Sequence, residues 1–124
     1  MTIQINDLLR VSERLHEQAV GEVDHRASIS RSYYAAYHDC TVWHGALSAP
    51  GALTRDGGVH AQLIDRLQHP MTLQTDDKLR SKRRGYILAA MRVVRATADY
   101  ELQQTLTTTE AAQSLANARK ILTI

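Results

Sequence analysis

The feature that most constrains the fold is a set of apolar side chains between Asp24 and Leu47, which recur at spacings of three and four positions. Such spacing is typical of one face of an α-helix with 3.6 residues per turn. The side chains of this apolar stripe are Ile29, Tyr33, Ala36, Cys40, Trp43 and Leu47. A helix of this kind gains most of its stability by packing its apolar face on other elements, so the sequence predicts a helical core built around it.

Four further segments repeat the helical spacing, and alternating runs of Val, Ile and Thr, which indicate strands, are almost absent. The expected helices cover about 5–19, 24–47, 59–68 and 75–98, with a fifth opened by a capping box at Thr107 and Glu110. Gly21 is the expected C-cap of the first helix. At 124 residues the chain is long enough for one stable domain. We therefore expect a single all-α domain over 1–124, a five-helix bundle of the up-and-down type.

Composition and the few reactive side chains exclude several classes of protein. Cys40 is the only cysteine and lies on the apolar stripe, so we expect a buried thiol, no disulfide and a cytoplasmic location. No His or Cys spacing typical of a metal site occurs, so we expect neither a metal nor a cofactor. The amino terminus has no basic segment followed by a long apolar run, and we expect no association with a membrane.

Arg31 and His38 are the charged and titratable pair of greatest interest on the second helix. Seven positions separate them, which is close to two helical turns, so both side chains leave the side opposite the apolar stripe. Arg31 has a structural alternative, an ion pair with Asp39, Glu22 or an acid of another helix. The alternative for His38 is a hydrogen-bonded histidine in an interface.

The face of Arg31 and His38 also carries small and apolar residues, which predicts that something packs there. Its further members are Tyr34, Ala35, Val42 and Gly45. Either a neighbouring helix or a second subunit can cover this face. We expect a homodimer whose contact includes Ala35, Val42 and Gly45.

A basic cluster lies at the start of the fourth helix, where five cationic residues fall within seven positions. They are Lys78, Arg80, Lys82, Arg83 and Arg84. The cluster is a candidate contact for a polyanion, and a solvated basic face is the alternative.

Three strings of this sequence resemble HEPN domains, which are small helical bundles. The first runs from Arg26 to His38 and contains Tyr33-Tyr34-Ala35-Ala36-Tyr37-His38. The second is Gly58-Val59-His60, and the third is Arg95-Ala96-Thr97-Ala98-Asp99-Tyr100. Together with the fifth helix, the resemblance covers essentially the whole chain.

The resemblance implies a homodimeric, metal-independent endoribonuclease that uses an Arg and a His separated by four to six residues. Arg31 and His38, with six residues between them, would be the catalytic pair, and Ser32 would be the polar residue that often follows the Arg. The implied role is a toxin or defence effector held in check by an antitoxin of the nucleotidyltransferase type. Two alternatives are a non-catalytic HEPN module that binds such a partner, a nucleotide or RNA, and a structural oligomerisation domain.

The chemistry of RNA cleavage agrees with these residue types. Attack by a 2′-hydroxyl needs a base, an acid for the leaving oxygen, and positive charge near the phosphate. An imidazole can serve as base or acid, and a guanidinium binds phosphate oxygens. Because one imidazole cannot easily do both tasks at once, we expect the second subunit's His38 nearby.

The remaining residues expected to bind or support RNA are Ser32, Tyr34, Lys82, Arg83 and Arg84. Two other Arg/His pairs have a permitted spacing, Arg10 with His16 and Arg55 with His60. Chance accounts for such pairs, so we expect His16→Ala and His60→Ala to keep activity.

Overall fold

The computed structural model describes residues 2–124, which form five α-helices and no strand. Their bounds are α1 Ile5–Glu17, α2 Glu22–Gly45, α3 Val59–Gln68, α4 Thr75–Tyr100 and α5 Thr108–Thr123. The prediction of an all-α chain with five helices is confirmed. None of the helices is long and apolar enough to cross a membrane, as judged over the same residues.

Local capping determines where the helices begin and end. The predicted capping box of α5 is present, with Thr107 and Glu110 satisfying each other's backbone N–H groups. The prediction that Gly21 caps the end of α1 is wrong. The C-cap is Gln18, whose N–H donates to the Arg14 carbonyl, and Gly21 is the extended N-cap of α2. The short link between the two helices is held by Asp24, which accepts a hydrogen bond from the Val20 N–H at 2.9 Å.

Helix α2 lies at the centre of the bundle and packs against α1, α4 and α5. Its predicted apolar stripe is confirmed at Ile29, Tyr33, Ala36 and Cys40, which are fully buried. The burial of Cys40 raises the pKa of its thiol to about 11, so the thiol stays protonated at neutral pH. This core fixes which side of α2 remains available to solvent.

The opposite side of α2 is covered in part by the same chain. Ala35, expected in a contact with a second subunit, is fully buried within the single chain, so this part of the expected interface is wrong. Its small side chain lies in a helix that packs extensively against α1. Val42 and Gly45 are exposed, as a surface contact would require.

Helix α3 packs closely on α4, and a glycine allows the approach. A Cβ atom at Gly85 would lie 2.8 Å from Cγ and 3.0 Å from the backbone nitrogen of Gln68. Ser81, one turn earlier, donates a hydrogen bond to the Leu67 carbonyl at 2.7 Å. This close contact holds the carboxyl-terminal end of α3 against α4.

Candidate functional site

Arg31 and His38 both lie on the exposed side of α2, as predicted from their spacing. They border a shallow, solvent-open groove of about 400 Å³ between α2 and the amino-terminal part of the chain. The groove is lined by Ile3, Leu8, Arg31, Tyr34 and His38. A cation, an imidazole and an aromatic ring therefore share one accessible surface.

Tyr34 lies between the two polar groups of the pair. The Arg31 guanidinium carbon is 5.4 Å from the centre of the Tyr34 ring, which is a cation–π distance. The His38 ring centre is 6.3 Å from the same ring. The ring of Tyr34 thus lies within about 6 Å of both the Arg31 guanidinium and the His38 imidazole.

The side chain of Arg31 makes no salt bridge anywhere in residues 2–124. The two named carboxylates that could have neutralised it are engaged elsewhere. Asp39 binds Arg84 at 2.7 Å, and Glu22 binds Arg26 at 2.8 Å. An ion pair of Arg31 with either acid is therefore not formed, and its guanidinium donors remain available to an anion.

A second cation approaches Tyr34 from the bundle interior. The Arg95 guanidinium carbon is 5.4 Å from the Tyr34 ring centre and 5.2 Å from that of Tyr33. Arg95 is buried and is held by Asp99 at 3.5 Å. The groove thus has two arginines within cation–π distance of one tyrosine, one exposed and one buried, which makes its surroundings electropositive.

His60, to which the sequence assigned no role at the site, lies beside Tyr34 in the structure. Its Nδ1 atom is 2.8 Å from the Tyr33 hydroxyl, and its ring centre is 4.3 Å from that of Tyr37 and 6.0 Å from that of Tyr34. Sequence reasoning missed it because the contact joins residues 27 positions apart. The only available signal was the position of His60 at the start of a short helix within a resembling string.

The environment of His60 favours its neutral form. Burial is the largest effect that lowers its pKa below the ordinary value of 6.5, and the positive charges of Arg95, Arg92 and His38 lower it further. His60 is therefore neutral at pH 7, in the state that accepts a proton.

Two of the residues expected to contact RNA are not available for that contact. Ser32 is fully buried, and its hydroxyl donates to the Ile29 carbonyl at 2.9 Å. Arg84 is only 3% exposed, binds Asp39 and lies 4.8 Å from the ring of Trp43. Both side chains point into the bundle, so neither can contact RNA directly, and a supporting role for them stays a prediction. Lys82 and Arg83 are exposed on α4.

His38 also borders a second groove, of about 340 Å³, on its other side. Apart from His38, it is lined by Ile3, Gln4, Ile5, Leu8, Thr41 and Val42. His38 therefore separates an electropositive groove from a mainly apolar one. An extended chain with phosphates on one side and bases on the other fits this division.

Residues 2–124 contain no group of three or more His, Cys, Asp or Glu side chains arranged to hold a metal ion. Comparisons of this chain with protein-family models, curated proteins and solved structures find no match.

Proposed function

We propose that this chain is a metal-independent endoribonuclease of HEPN type, with Arg31 and His38 as its catalytic pair. The observation that carries the proposal is the exposed guanidinium of Arg31, which has no carboxylate partner within residues 2–124 and shares one groove with His38 across the ring of Tyr34. Structural arginines normally find carboxylate or carbonyl partners, as Arg84 and Arg26 do here. An exposed guanidinium without such a partner, beside an imidazole, suits the recognition of a phosphodiester.

The reaction is an internal transesterification of RNA. The 2′-oxygen forms a bond to phosphorus, the bond between phosphorus and the 5′-oxygen breaks, and the products are a 2′,3′-cyclic phosphate and a free 5′-hydroxyl. One group removes the proton of the 2′-hydroxyl, and another donates a proton to the 5′-oxygen. Arg31 binds the non-bridging phosphate oxygens, where negative charge increases in the transition state.

His38 and His60 divide the two proton transfers between them. The lowered pKa of His60 favours a neutral imidazole, which suits the base, and leaves the donor role to His38 at the exposed end of the groove. Both rings lie within 6.3 Å of the Tyr34 ring centre. A single chain then supplies both groups, without the second copy of His38 that the sequence suggested.

RNA enters along a surface that carries positive charge beyond the groove. Lys82 and Arg83 on α4 are exposed and add affinity that does not depend on the base sequence. Uncontrolled RNA cleavage in a cell is harmful, which agrees with the role of a toxin or defence effector. The implied regulator is an antitoxin of the nucleotidyltransferase type.

The test is cleavage of single-stranded RNA by the purified protein in the presence of EDTA. We expect a 2′,3′-cyclic phosphate product and a loss of activity of about two to four orders of magnitude in His38→Ala and Arg31→Ala. His16→Ala on α1 serves as the control histidine and should keep activity. Circular dichroism establishes that each variant has the helical fold.

Two outcomes would contradict the proposal. Cleavage by a correctly folded His38→Ala variant at the rate of the wild type would remove His38 from the chemistry. No cleavage by the wild type across a panel of RNAs would favour the non-catalytic HEPN module instead. In that case, binding of RNA or of a nucleotidyltransferase-type partner becomes the property to measure.

A further inference from the structure

Arg95 on α4 is a buried cation with weak polar partners. Its guanidinium lies 3.5 Å from the Asp99 carboxylate, which is the one hydrogen bond that its side chain forms within residues 2–124. Its Nε atom is buried and has no partner in the same part of the chain. A buried charge is costly unless it is closely paired, so stability does not explain this arrangement.

Two other arginines are buried in residues 2–124, and both are better paired. Arg84 lies 2.7 Å from the Asp39 carboxylate, and Arg26 binds a carboxylate at 2.8 Å and several backbone carbonyls. The partner of Arg95 is also poorly placed, because Asp99 lies in the last turn of α4, where the helix dipole disfavours a carboxylate. Of the three buried arginines, Arg95 is therefore the loosely paired one.

Three aromatic rings lie beside the guanidinium of Arg95, each at a cation–π distance. They are the rings of Tyr33 at 5.2 Å, Tyr34 at 5.4 Å and Tyr100 at 5.8 Å, measured from the guanidinium carbon to the ring centres. Tyr33 and Tyr34 are neighbours on α2, and Tyr100 is the last residue of α4. One cation thus links the two helices through their aromatic side chains.

Tyr33 and Tyr34 contact the polar groups of the proposed site. The Tyr33 hydroxyl is 2.8 Å from Nδ1 of His60. The Tyr34 ring centre lies 5.4 Å from the Arg31 guanidinium carbon and 6.3 Å from the centre of the His38 ring. The positions of the two tyrosines therefore affect where the two imidazoles lie relative to each other.

We propose that Arg95 is a positioning residue of this site, which holds the Tyr33 ring that orients His60 and the Tyr34 ring that borders the groove. The inference rests on the function proposed above. It also gives a role to both ends of the string from Arg95 to Tyr100, which the proposed reaction itself does not use.

The charge of Arg95 affects His60 as well. Burial lowers the pKa of His60 most, and Arg95 has the largest effect among the charged groups around it. A closely paired carboxylate would weaken this effect, whereas the 3.5 Å contact with Asp99 is long for a charge-assisted hydrogen bond. The loose pairing of Arg95 therefore helps to keep His60 neutral, which is the state proposed for the base.

The first measurement is the titration of individual histidines by NMR, without RNA. Arg95→Met keeps a long side chain and removes its charge, so it should raise the pKa of His60 and leave that of His44 unchanged. Arg66→Met is the matched control. Arg66 lies on α3 with His60 but lowers the pKa of His44, so this variant should show the reverse pattern. An unchanged pKa of His60 in a folded Arg95→Met protein would overturn the proposal.

The second measurement is RNA cleavage at equal folded fraction. Arg95→Met should lower kcat by about tenfold to a hundredfold with a smaller change in KM, because misplaced groups affect the reacting geometry more than binding. Arg95→Lys keeps the charge and should recover part of the loss, and Arg66→Met should cleave like the wild type. Cleavage by Arg95→Met at the rate of the wild type, or no recovery in Arg95→Lys, would overturn the proposal.

A double-mutant cycle with Tyr33→Phe tests whether Arg95 acts through Tyr33. Tyr33→Phe removes only the hydroxyl that contacts His60. If Arg95 positions His60 through this tyrosine, the double variant should lose less activity than the product of the two single losses. Losses that multiply would show that Arg95 acts independently of Tyr33, which contradicts the proposed role.

Thermal unfolding distinguishes the positioning role from a structural one. Replacing a loosely paired buried charge by an apolar side chain costs little stability, so Arg95→Met should lower the melting temperature less than Arg26→Met does. The opposite order would attribute the loss of cleavage to the fold and overturn the proposal.

The titration also separates this inference from the proposed function. A wild type that cleaves no RNA would overturn the endoribonuclease, while the pKa of His60 in Arg95→Met still tests the contact. A wild type that cleaves RNA together with an equally active Arg95→Met variant would overturn the role of Arg95 alone.

Discussion

Two arginines of α2, five positions apart, show how differently this fold uses the same side chain. Arg26 is buried and donates hydrogen bonds to backbone carbonyls at and just beyond the carboxyl-terminal end of α4. These acceptors belong to Thr97, Ala98, Glu101 and Gln104, the first two at 3.0 Å. Arg31 is exposed and has no carboxylate partner in residues 2–124.

The difference follows from where the two side chains leave the helix. The last carbonyls of α4 lack partners within their own helix, and Arg26 satisfies several of them at once with its planar group. Arg31 lies beyond this contact, on the groove, where its guanidinium has no carboxylate partner among residues 2–124. The comparison teaches that Arg26 contributes to stability and Arg31 is available for function.

The largest effect on folding should come from Arg26→Ala. We expect a loss of about 3 kcal/mol in the free energy of unfolding, because the carbonyls of α4 and the Glu22 carboxylate lose their partner. Urea denaturation followed by circular dichroism measures it. Arg31→Ala is the matched control and should change stability by no more than about 0.5 kcal/mol. Equal losses in the two variants would break the comparison.

The His60→Ala variant tests whether His60 takes part in the proposed reaction. We expect RNA cleavage to fall by about two orders of magnitude, since the variant loses one of two proton-transfer groups. Loss of the Tyr33 contact also perturbs packing, so His60→Gln, which keeps a polar group there, is the companion variant. Cleavage rates are compared at equal folded fractions. Full activity in both variants would return His60 to a purely structural role.

Stability should increase as the pH rises from about 5.5 to 7.5. Burial, followed by the charge of Arg66, lowers the pKa of His44 below 6.5, and burial followed by Arg95 lowers the pKa of His60. Below pH 6.5 the unfolded chain therefore binds more protons than the folded chain, which destabilises the fold. His44 also loses its role as acceptor for the Gly51 N–H when it is protonated.

Thermal unfolding followed by circular dichroism at several pH values measures this increase. The double variant His44→Gln with His60→Gln should show a flatter dependence over the same range. The carboxyl groups with lowered pKa, Asp65 and Glu110, stay ionised in this window and do not contribute to the slope. A melting temperature of the wild type that decreases as the pH rises from about 5.5 to 7.5 would contradict the lowered pKa values of His44 and His60.

The smallest effect concerns Lys82 and Arg83. Replacing both with Ser should reduce the slope of log affinity for single-stranded RNA against log salt by up to about 1.4, if each contacts one phosphate. The matched control, Arg55→Ser with Lys120→Ser, removes the same charge from exposed positions elsewhere. Fluorescence anisotropy at several salt concentrations provides the slopes. An unchanged slope would mean that Lys82 and Arg83 are solvated surface residues that do not contact the RNA.

The sequence was informative wherever the signal is local. The apolar spacing predicted α2 and its buried stripe, and the Thr107/Glu110 pair predicted the start of α5, because both depend on residues within a few turns. Gly21 was assigned to the wrong helix end because a glycine fits an N-cap as well as a C-cap.

The part of the site that lies on α2 was predicted because its signal is also local in the sequence. Arg31, Tyr34 and His38 share a face through helical periodicity alone, so their proximity follows from the sequence. The burial of Arg84 on Trp43, the burial of Ala35 and the approach of His60 to Tyr33 depend on packing between distant segments. No local pattern contains that information.

The central claim is that Arg31 serves the reaction and not the fold, and its most direct test is the rate of RNA cleavage by Arg31→Ala in EDTA. The rate is compared with that of the wild type at equal folded fraction. The account predicts a loss of at least about a hundredfold, with the free energy of unfolding unchanged. Cleavage at the rate of the wild type by a fully folded Arg31→Ala protein would contradict it.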